Sequence, residues 1–177
     1  MTDISRALDC SLHKVAYWMT KHNVITRSWS DAAYLKYHPN GDPFAFRAPR
    51  TMREAKLFGL GIGLYWGEGT KANKYSVRLG NTDPQLLGKF IQFLEKFFQV
   101  RKSEMRFGLQ IFSDIDVREA MDFWLKSLKI KKQQFYKPTV TISGSIGTYR
   151  KKSQYGILTV LYNNKKLRNL LVSMLPM

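Results

Sequence analysis

Glu68 is the acid to begin with, because of what precedes it. Residues 55–69 read AKLFGLGIGLYWGEG, an apolar run with a small residue at every fourth position: Ala55, Gly59, Gly63 and Gly67. One carboxylate is a poor metal site. Two set side by side can hold a hard divalent cation, which prefers oxygen ligands and often takes only one or two carboxylates. The spacing offers that pairing, since positions four apart form one stripe on a 3.6-residue period. A stripe without side chains admits a second backbone at close range, as small-xxx-small pairs do in membranes. Glycine costs roughly 1 kcal/mol per helix-interior position relative to alanine, so three in one helix demand a reason of this kind. The plainer readings are a buried core helix, or a sharp turn at residues 67–69.

Other chemistries lack their residues. The only cysteine, Cys10, excludes a disulfide framework and a cysteine-based zinc site. His13, His22 and His38 lie in the first forty residues without ligand spacing, and no histidine follows to build a clustered His/Asn nuclease site. The glycine run is not a phosphate-cradling GxxxxGK[ST] loop either.

Stepping outward, Thr51 and Glu54 have the spacing of a capping box and fix the start of the glycine helix. The apolar run 57–66 is ten residues long and bounded by Lys56 and Glu68, whereas spanning a bilayer needs about 20. No membrane partner is expected. Residues 1–15 contain Asp3, Arg6, Asp9 and His13 in place of an apolar leader, so the expected location is the cytoplasm, in association with the nucleoid.

Charge points to a polyanion. The chain carries 29 Lys and Arg against 13 Asp and Glu, a formal charge of +16. Asp122 is the last acid, and residues 123–177 hold eleven Lys or Arg with no Asp or Glu. Such asymmetry favours fast, salt-sensitive association with nucleic acid. A merely solvated basic surface is the plainer alternative.

The first 38 residues read as a separate helical segment. Residues 2–8 form a short helix, Asp9 and Cys10 a turn, and residues 11–22 a second helix capped by Ser11. Ile4, Leu8, Val15 and Trp18 are its inward residues. The pair resembles a helix-turn-helix, whose second helix enters the major groove. Lys14, Tyr17 and Lys21 would then face DNA, with Ser11, Leu12 and His13. Asp9 stands where glycine is usual in the turn, and no helix precedes the pair; residues 30–37 could supply a supporting third helix. An ordinary helical hairpin remains open. Residues 39–50, opening on the turn signals of HPNGDP, read as a linker.

Downstream the elements alternate. Residues 75–81 predict a strand with Tyr75, Val77 and Leu79 on one face and Ser76 and Arg78 on the other. A helix follows from Asp83-Pro84 to Phe98, with Leu86, Leu87, Phe90, Ile91, Leu94, Phe97 and Phe98 as core. A second strand covers 105–112, a helix runs from Asp116 to about Leu128, strands cover 138–143 and 155–162, and a basic helix covers 165–175. This is an α+β fold. Its sheet has one face packed on helices and one polar, basic face carrying Arg78, Arg106, Gln110, Thr139, Thr141 and Ser143. Such a face can read a major groove. Arg150, Lys151 and Lys152, in a Gly/Ser-rich loop, would contact phosphates.

Residues 61–69, GIGLYWGEG, resemble the nine-residue signature of LAGLIDADG homing endonucleases. Gly63, Leu64 and Gly69 match it, Glu68 falls on the acidic position, Gly67 is the small residue before it, and Trp66 stands where Asp is commoner. Residues 77–84, VRLGNTDP, and the order of the later elements also look like this family. The resemblance covers residues 51–177. It implies a LAGLIDADG-type mixed helix/sheet domain with a basic, DNA-facing antiparallel sheet, preceded by the helix-turn-helix-like segment. It further implies a homodimer packed through Gly59, Gly63 and Gly67, with Glu68 of each copy at the scissile phosphates of double-stranded DNA. Mg²⁺, or another divalent cation such as Mn²⁺, would be held by Glu68 and the carbonyl of Gly67. Lys137 is the candidate for the basic residue that assists such sites. The activity implied is a metal-dependent double-strand break at a near-palindromic target. Two alternatives share the fold: a non-catalytic transcriptional regulator, and an intron-splicing helper that binds structured RNA. The acid at position 68 favours the nuclease, because a pure binder gains nothing from a carboxylate near phosphates.

Overall fold

The computed structural model describes residues 1–143 and 153–176. The expected phosphate contacts Arg150, Lys151 and Lys152 therefore lie outside the described residues. The chain divides into two units, Met1–Pro43 and Phe44–Met177, a boundary inside the stretch read as a linker.

The first unit holds α1 (Thr2–Ala7), α2 (Leu12–Lys21) and α3 (Trp29–Tyr37). The Ser11 hydroxyl accepts the Lys14 N–H at 3.3 Å and so caps α2. Asp9 takes a φ of 44°, the left-handed conformation that glycine would supply in such a turn and that Asp tolerates. The inward set is looser than the spacing predicts. Val15 is buried, but Ile4, Leu8 and Trp18 are 46%, 66% and 44% exposed; with Val15 they line a shallow apolar cleft instead of closing a core. Two helices of six and ten residues offer too little surface to enclose them, and α3 buries no side chain.

In the second unit α4 (Met52–Glu68), α5 (Pro84–Phe98), α6 (Val117–Leu128) and α7 (Lys165–Ser173) accompany strands β1 (Val77–Asn81), β2 (Arg106–Phe112), β3 (Thr139–Thr141) and β4 (Ile157–Tyr162). The sheet order is β1-β4-β2-β3. β4 is antiparallel to both β1 and β2, while β2 and β3 are parallel. The sheet is thus mixed, not antiparallel as expected. The reason is connectivity: α5 links β1 to β2 and α6 links β2 to β3, and helical crossovers of that length return the chain in the same direction. The last strand then enters antiparallel between the first two.

Val77, Leu79, Phe107, Leu109, Ile111, Leu158 and Val160 point to the helical side and are buried. They meet Leu87, Phe90, Leu94, Phe97 and Phe98 of α5, Ala120 and Trp124 of α6, and Leu167 and Leu171 of α7. Two strand-face assignments differ from expectation. Tyr75 lies before β1 and is exposed, whereas Ser76 is buried. Its hydroxyl donates to Asn73 Oδ1 at 2.9 Å and accepts from Arg78 Nε at 2.8 Å, a polar satisfaction that draws it inward. The extended segment before α4 is also fixed. The Ala45 and Arg47 N–H groups donate to the Phe98 and Phe97 carbonyls at 3.1 and 2.8 Å, pairing acceptors that the end of α5 leaves orphaned.

α4 lies on α5 through Gly61, where a Cβ would come within 2.2 Å of the Phe93 ring. Gly59, Gly63 and Gly67 face the other way, with nothing within 4 Å of a Cβ at any of them. The four-residue stripe is therefore open, and a different glycine makes the internal contact. The two sites make opposite predictions in thermal melts. Gly61→Ala should destabilise the unit by about 1–3 kcal/mol through overpacking. Gly59→Ala should stabilise it by up to about 1 kcal/mol, from helix propensity alone.

The helix start differs from a capping box in one bond. The Thr51 hydroxyl accepts the Glu54 N–H at 3.2 Å, but the Glu54 carboxylate accepts from the Arg50 N–H at 2.8 Å. Glu54 also pairs with Arg47 at 2.6 Å and Lys96 at 3.1 Å. The Arg50 N–H first, then Arg47 and Lys96, lower its pKa from 4.5 to about 2. A depressed carboxylate contributes stability above its unfolded pKa and loses it as pH falls through the folded value. Glu54→Gln should accordingly melt below the parent at neutral pH, with the difference closing as pH falls from about 4.5 to about 2. A gap that stays constant over that range would contradict this account.

Candidate functional site

Glu68 is the last residue of α4, and the chain leaving it is held against the sheet. Gly69 bridges Leu79 of β1 in antiparallel sense, and the Thr70 N–H donates to the Arg78 carbonyl at 3.0 Å. This lays residues 69–70 along the free edge of β1 and sets Glu68 at the rim of the sheet. Only glycine fits at position 69, since a Cβ would lie 2.3 Å from the Tyr65 carbonyl oxygen. Tyr65 anchors the last turn from inside, fully buried and stacked on Phe90 with ring centroids 6.1 Å apart. Burial pushes its phenol up in pKa, partly offset by the charge of Arg168.

Arg168 of α7 secures the next residues. Its Nε donates to the Asn73 carbonyl at 3.1 Å and its Nη2 to the Lys71 carbonyl. Lys71 in turn donates its ammonium to the Trp66 carbonyl. Sequence spacing marks neither residue, because both act through backbone carbonyls and belong to no motif.

The end of α4 concentrates negative potential. The Tyr65 carbonyl accepts the Gly69 N–H at 3.0 Å and the Trp66 carbonyl accepts Lys71. The Gly67 carbonyl accepts no hydrogen bond among the described residues. Glu68 is exposed and has no ion pair among them. A carboxylate at a helix C-terminus is unfavourable, because it adds to the negative end of the dipole. A cation reverses that sign. The donor set, one carboxylate and one unpaired carbonyl, fits a hard divalent ion that completes its shell with phosphate oxygens and water. Among the described residues no group of three or more His, Cys, Asp or Glu could hold a metal.

The outer sheet face is organised in rows by register. Arg78, Leu161 and Arg106 are cross-strand neighbours, followed by Gly80, Thr159 and Gly108, then by Ile157, Gln110 and Thr139. Thr141 pairs with Phe112 beyond them. Five of the six expected sheet residues thus share one face; the sixth, Ser143, lies beyond the end of β3, where its N–H donates to Ser113 Oγ at 3.0 Å. The middle row has Thr159 as its only side chain between two glycines, a trough with the arginine row on one side and Ile157, Gln110 and Thr139 on the other. Leu161 is buried between the arginines of its row, whose aliphatic stems can cover it while the charges stay in water. Thr159 was not singled out from sequence, because a threonine in an apolar strand carries no signal of its own.

Within the second unit one expectation separates from Glu68. Lys137 precedes β3, on the sheet edge opposite β1. At about 4.8 Å per strand spacing the whole sheet lies between it and Glu68 within one chain. Lys14, Tyr17 and Lys21 belong to the first unit. There Lys14 lines the apolar cleft, and the Lys21 ammonium sits 4.7 Å from the Trp18 ring centroid and 5.8 Å from that of Tyr17. No helix among the described residues is long and apolar enough to cross a membrane. Comparison with protein-family models, with curated proteins and with solved structures finds no match.

Proposed function

We propose that the chain is a site-specific DNA endonuclease of the LAGLIDADG type that works as a homodimer with Mg²⁺ or Mn²⁺. One observation carries the reading: a helix whose outward glycine stripe is open ends in an exposed carboxylate at the rim of a cationic sheet face. In the proposed dimer the stripe Gly59, Gly63, Gly67 packs on its two-fold mate. That contact brings the two Glu68 carboxylates and Gly67 carbonyls together, so that each copy completes the other's partial ligand set. When bound, the cation supplies Lewis acidity, easing deprotonation of a water nucleophile and offsetting charge at the scissile phosphate. The chain's own residues do the positioning. Arg78 and Arg106 hold the backbone, Gln110, Thr139 and Thr141 face base edges, and the trough at Thr159 admits the duplex. Arg168 and Lys71 keep the rim in place.

The regulator is the second reading, favoured by the tight left-handed turn at Asp9 between α1 and α2. The two separate on one residue. With a randomised or source-locus DNA library, the parent should cut in Mg²⁺ and not in EDTA, and Glu68→Gln should bind as well or better without cutting. Cutting that survives in Glu68→Gln removes Glu68 as the metal ligand; tight binding with no cutting by the parent assigns the chain to regulation. Association is tested independently by light scattering. Gly63→Leu should weaken it by at least about tenfold, or 1.4 kcal/mol, and leave the monomer folded because its stripe is open.

A further inference from the structure

The helical side of the second unit carries cations that the proposed cleavage site does not use. One groove, of about 540 Å³, lies between the N-terminal half of α4 and α5, lined by Arg53, Lys56, Leu60, Lys89 and Lys96 among others. Another, of about 580 Å³, lies between α5 and the end of α6 and includes Lys102 and Lys129. Lys89 and Gln92 line both, so the grooves adjoin along one ridge of α5.

The acid in the first groove is already engaged. Glu54 accepts from the Arg50 N–H and pairs with Arg47 and Lys96. Arg53, Lys56 and Lys89 have no carboxylate within ion-pair distance among the described residues. In the second groove Glu95 lines the same space as Lys89, Lys102 and Lys129, and the Lys102 ammonium is fixed by donating to the Leu128 carbonyl at 2.9 Å. A phosphate chain carries a condensed atmosphere of cations, and Lys and Arg held near one another on rigid helices neutralise its phosphates and release those ions, which drives binding. The Gln92 amide adds neutral donors suited to phosphate oxygens. The cations run from α4 across α5 to the end of α6, farther than one phosphate group can span.

The distance from Glu68 decides which backbone. Arg53 lies fifteen residues before Glu68 in the same helix, about 22 Å at 1.5 Å per residue, and α5 stands between the grooves and the sheet. A duplex seated on the outer sheet face does not reach these cations. We propose that the helical face binds the phosphate backbone of a second nucleic-acid segment, so that the protein bridges two segments. The inference shares with the nuclease reading only the premise of a nucleic-acid partner.

The test is a capture assay in which one duplex is immobilised, protein is loaded, and a second, labelled duplex is added. The parent should capture the second duplex. Arg53→Glu/Lys89→Glu should lower capture by about tenfold or more while retention on the first duplex stays within about twofold. Both substitutions lie on exposed helix positions, and an acid at position 53 suits a helix N-terminus, so melting should be unchanged. Capture that is absent from the parent, or unchanged in the variant, overturns the proposal. Loss of retention together with capture makes the helical face the only binding site and also overturns it. So does displacement of the second duplex by polyglutamate as readily as by nucleic acid, which would assign the grooves to an acidic protein. Arg78→Glu/Arg106→Glu tests the sheet face separately, through retention on the first duplex.

Discussion

The contact between Gly61 and the Phe93 ring sets where everything else can stand. A helix backbone brought that near an aromatic ring cannot slide, because the next residues in either direction carry side chains that would not fit. With α4 so placed on α5, Tyr65 one turn later falls into the core against Phe90, and Gly69 falls against the edge of β1. Glu68 then has one place to be, at the rim. The position of the carboxylate is thus a consequence of packing two turns earlier, not of any contact that Glu68 makes.

That packing carries costs the fold tolerates. The Tyr65 hydroxyl is buried with no partner among the described residues, and an unsatisfied buried hydroxyl costs about 1–3 kcal/mol. Phenylalanine at the same position would keep the stacking on Phe90 and shed the cost. Its neighbour Arg168 spends its guanidinium on the Lys71 and Asn73 carbonyls. The sheet adds a second constraint. Because β4 enters between β1 and β2, the outer-face rows join residues far apart in sequence, such as Arg78 and Leu161. The trough cannot form until the last strand is in place.

Local signals were legible in the sequence and distant ones were not. The caps at Ser11, Thr51, Asp83 and Asp116 mark helix starts that the structure reproduces, since a cap is a bond between residues two or three apart. Alternation along β2 sets Phe107, Leu109 and Ile111 on one face, and that is the face the structure buries. Phe93 escaped the predicted core although it is fully buried. Besides the rings of Phe58, Phe90, Phe97 and Phe98 it packs on a glycine of another helix, and that contact leaves no hydrophobic signal in sequence. Strand direction escaped as well, because periodicity fixes which face a residue takes but is silent on the sense in which strands pair. Lys137 was placed by analogy alone, and the strand order that separates it from Glu68 is not readable from spacing.

The glycines of α4 show why spacing alone reads ambiguously. Gly59, Gly63 and Gly67 share one stripe and Gly61 sits between them in sequence, yet the two sets face opposite sides. Gly61 is accounted for within the monomer, since a side chain there would displace α4. The stripe is not: alanine at those positions would meet nothing and would favour the helix by up to about 1 kcal/mol at each site. Three such sites left as glycine, on a face that also exposes Leu60 and Trp66, have no account in the fold of one chain. Under the proposed function the open stripe is the surface on which a second copy packs, and Glu68, at its end, then stands in a site shared between the two.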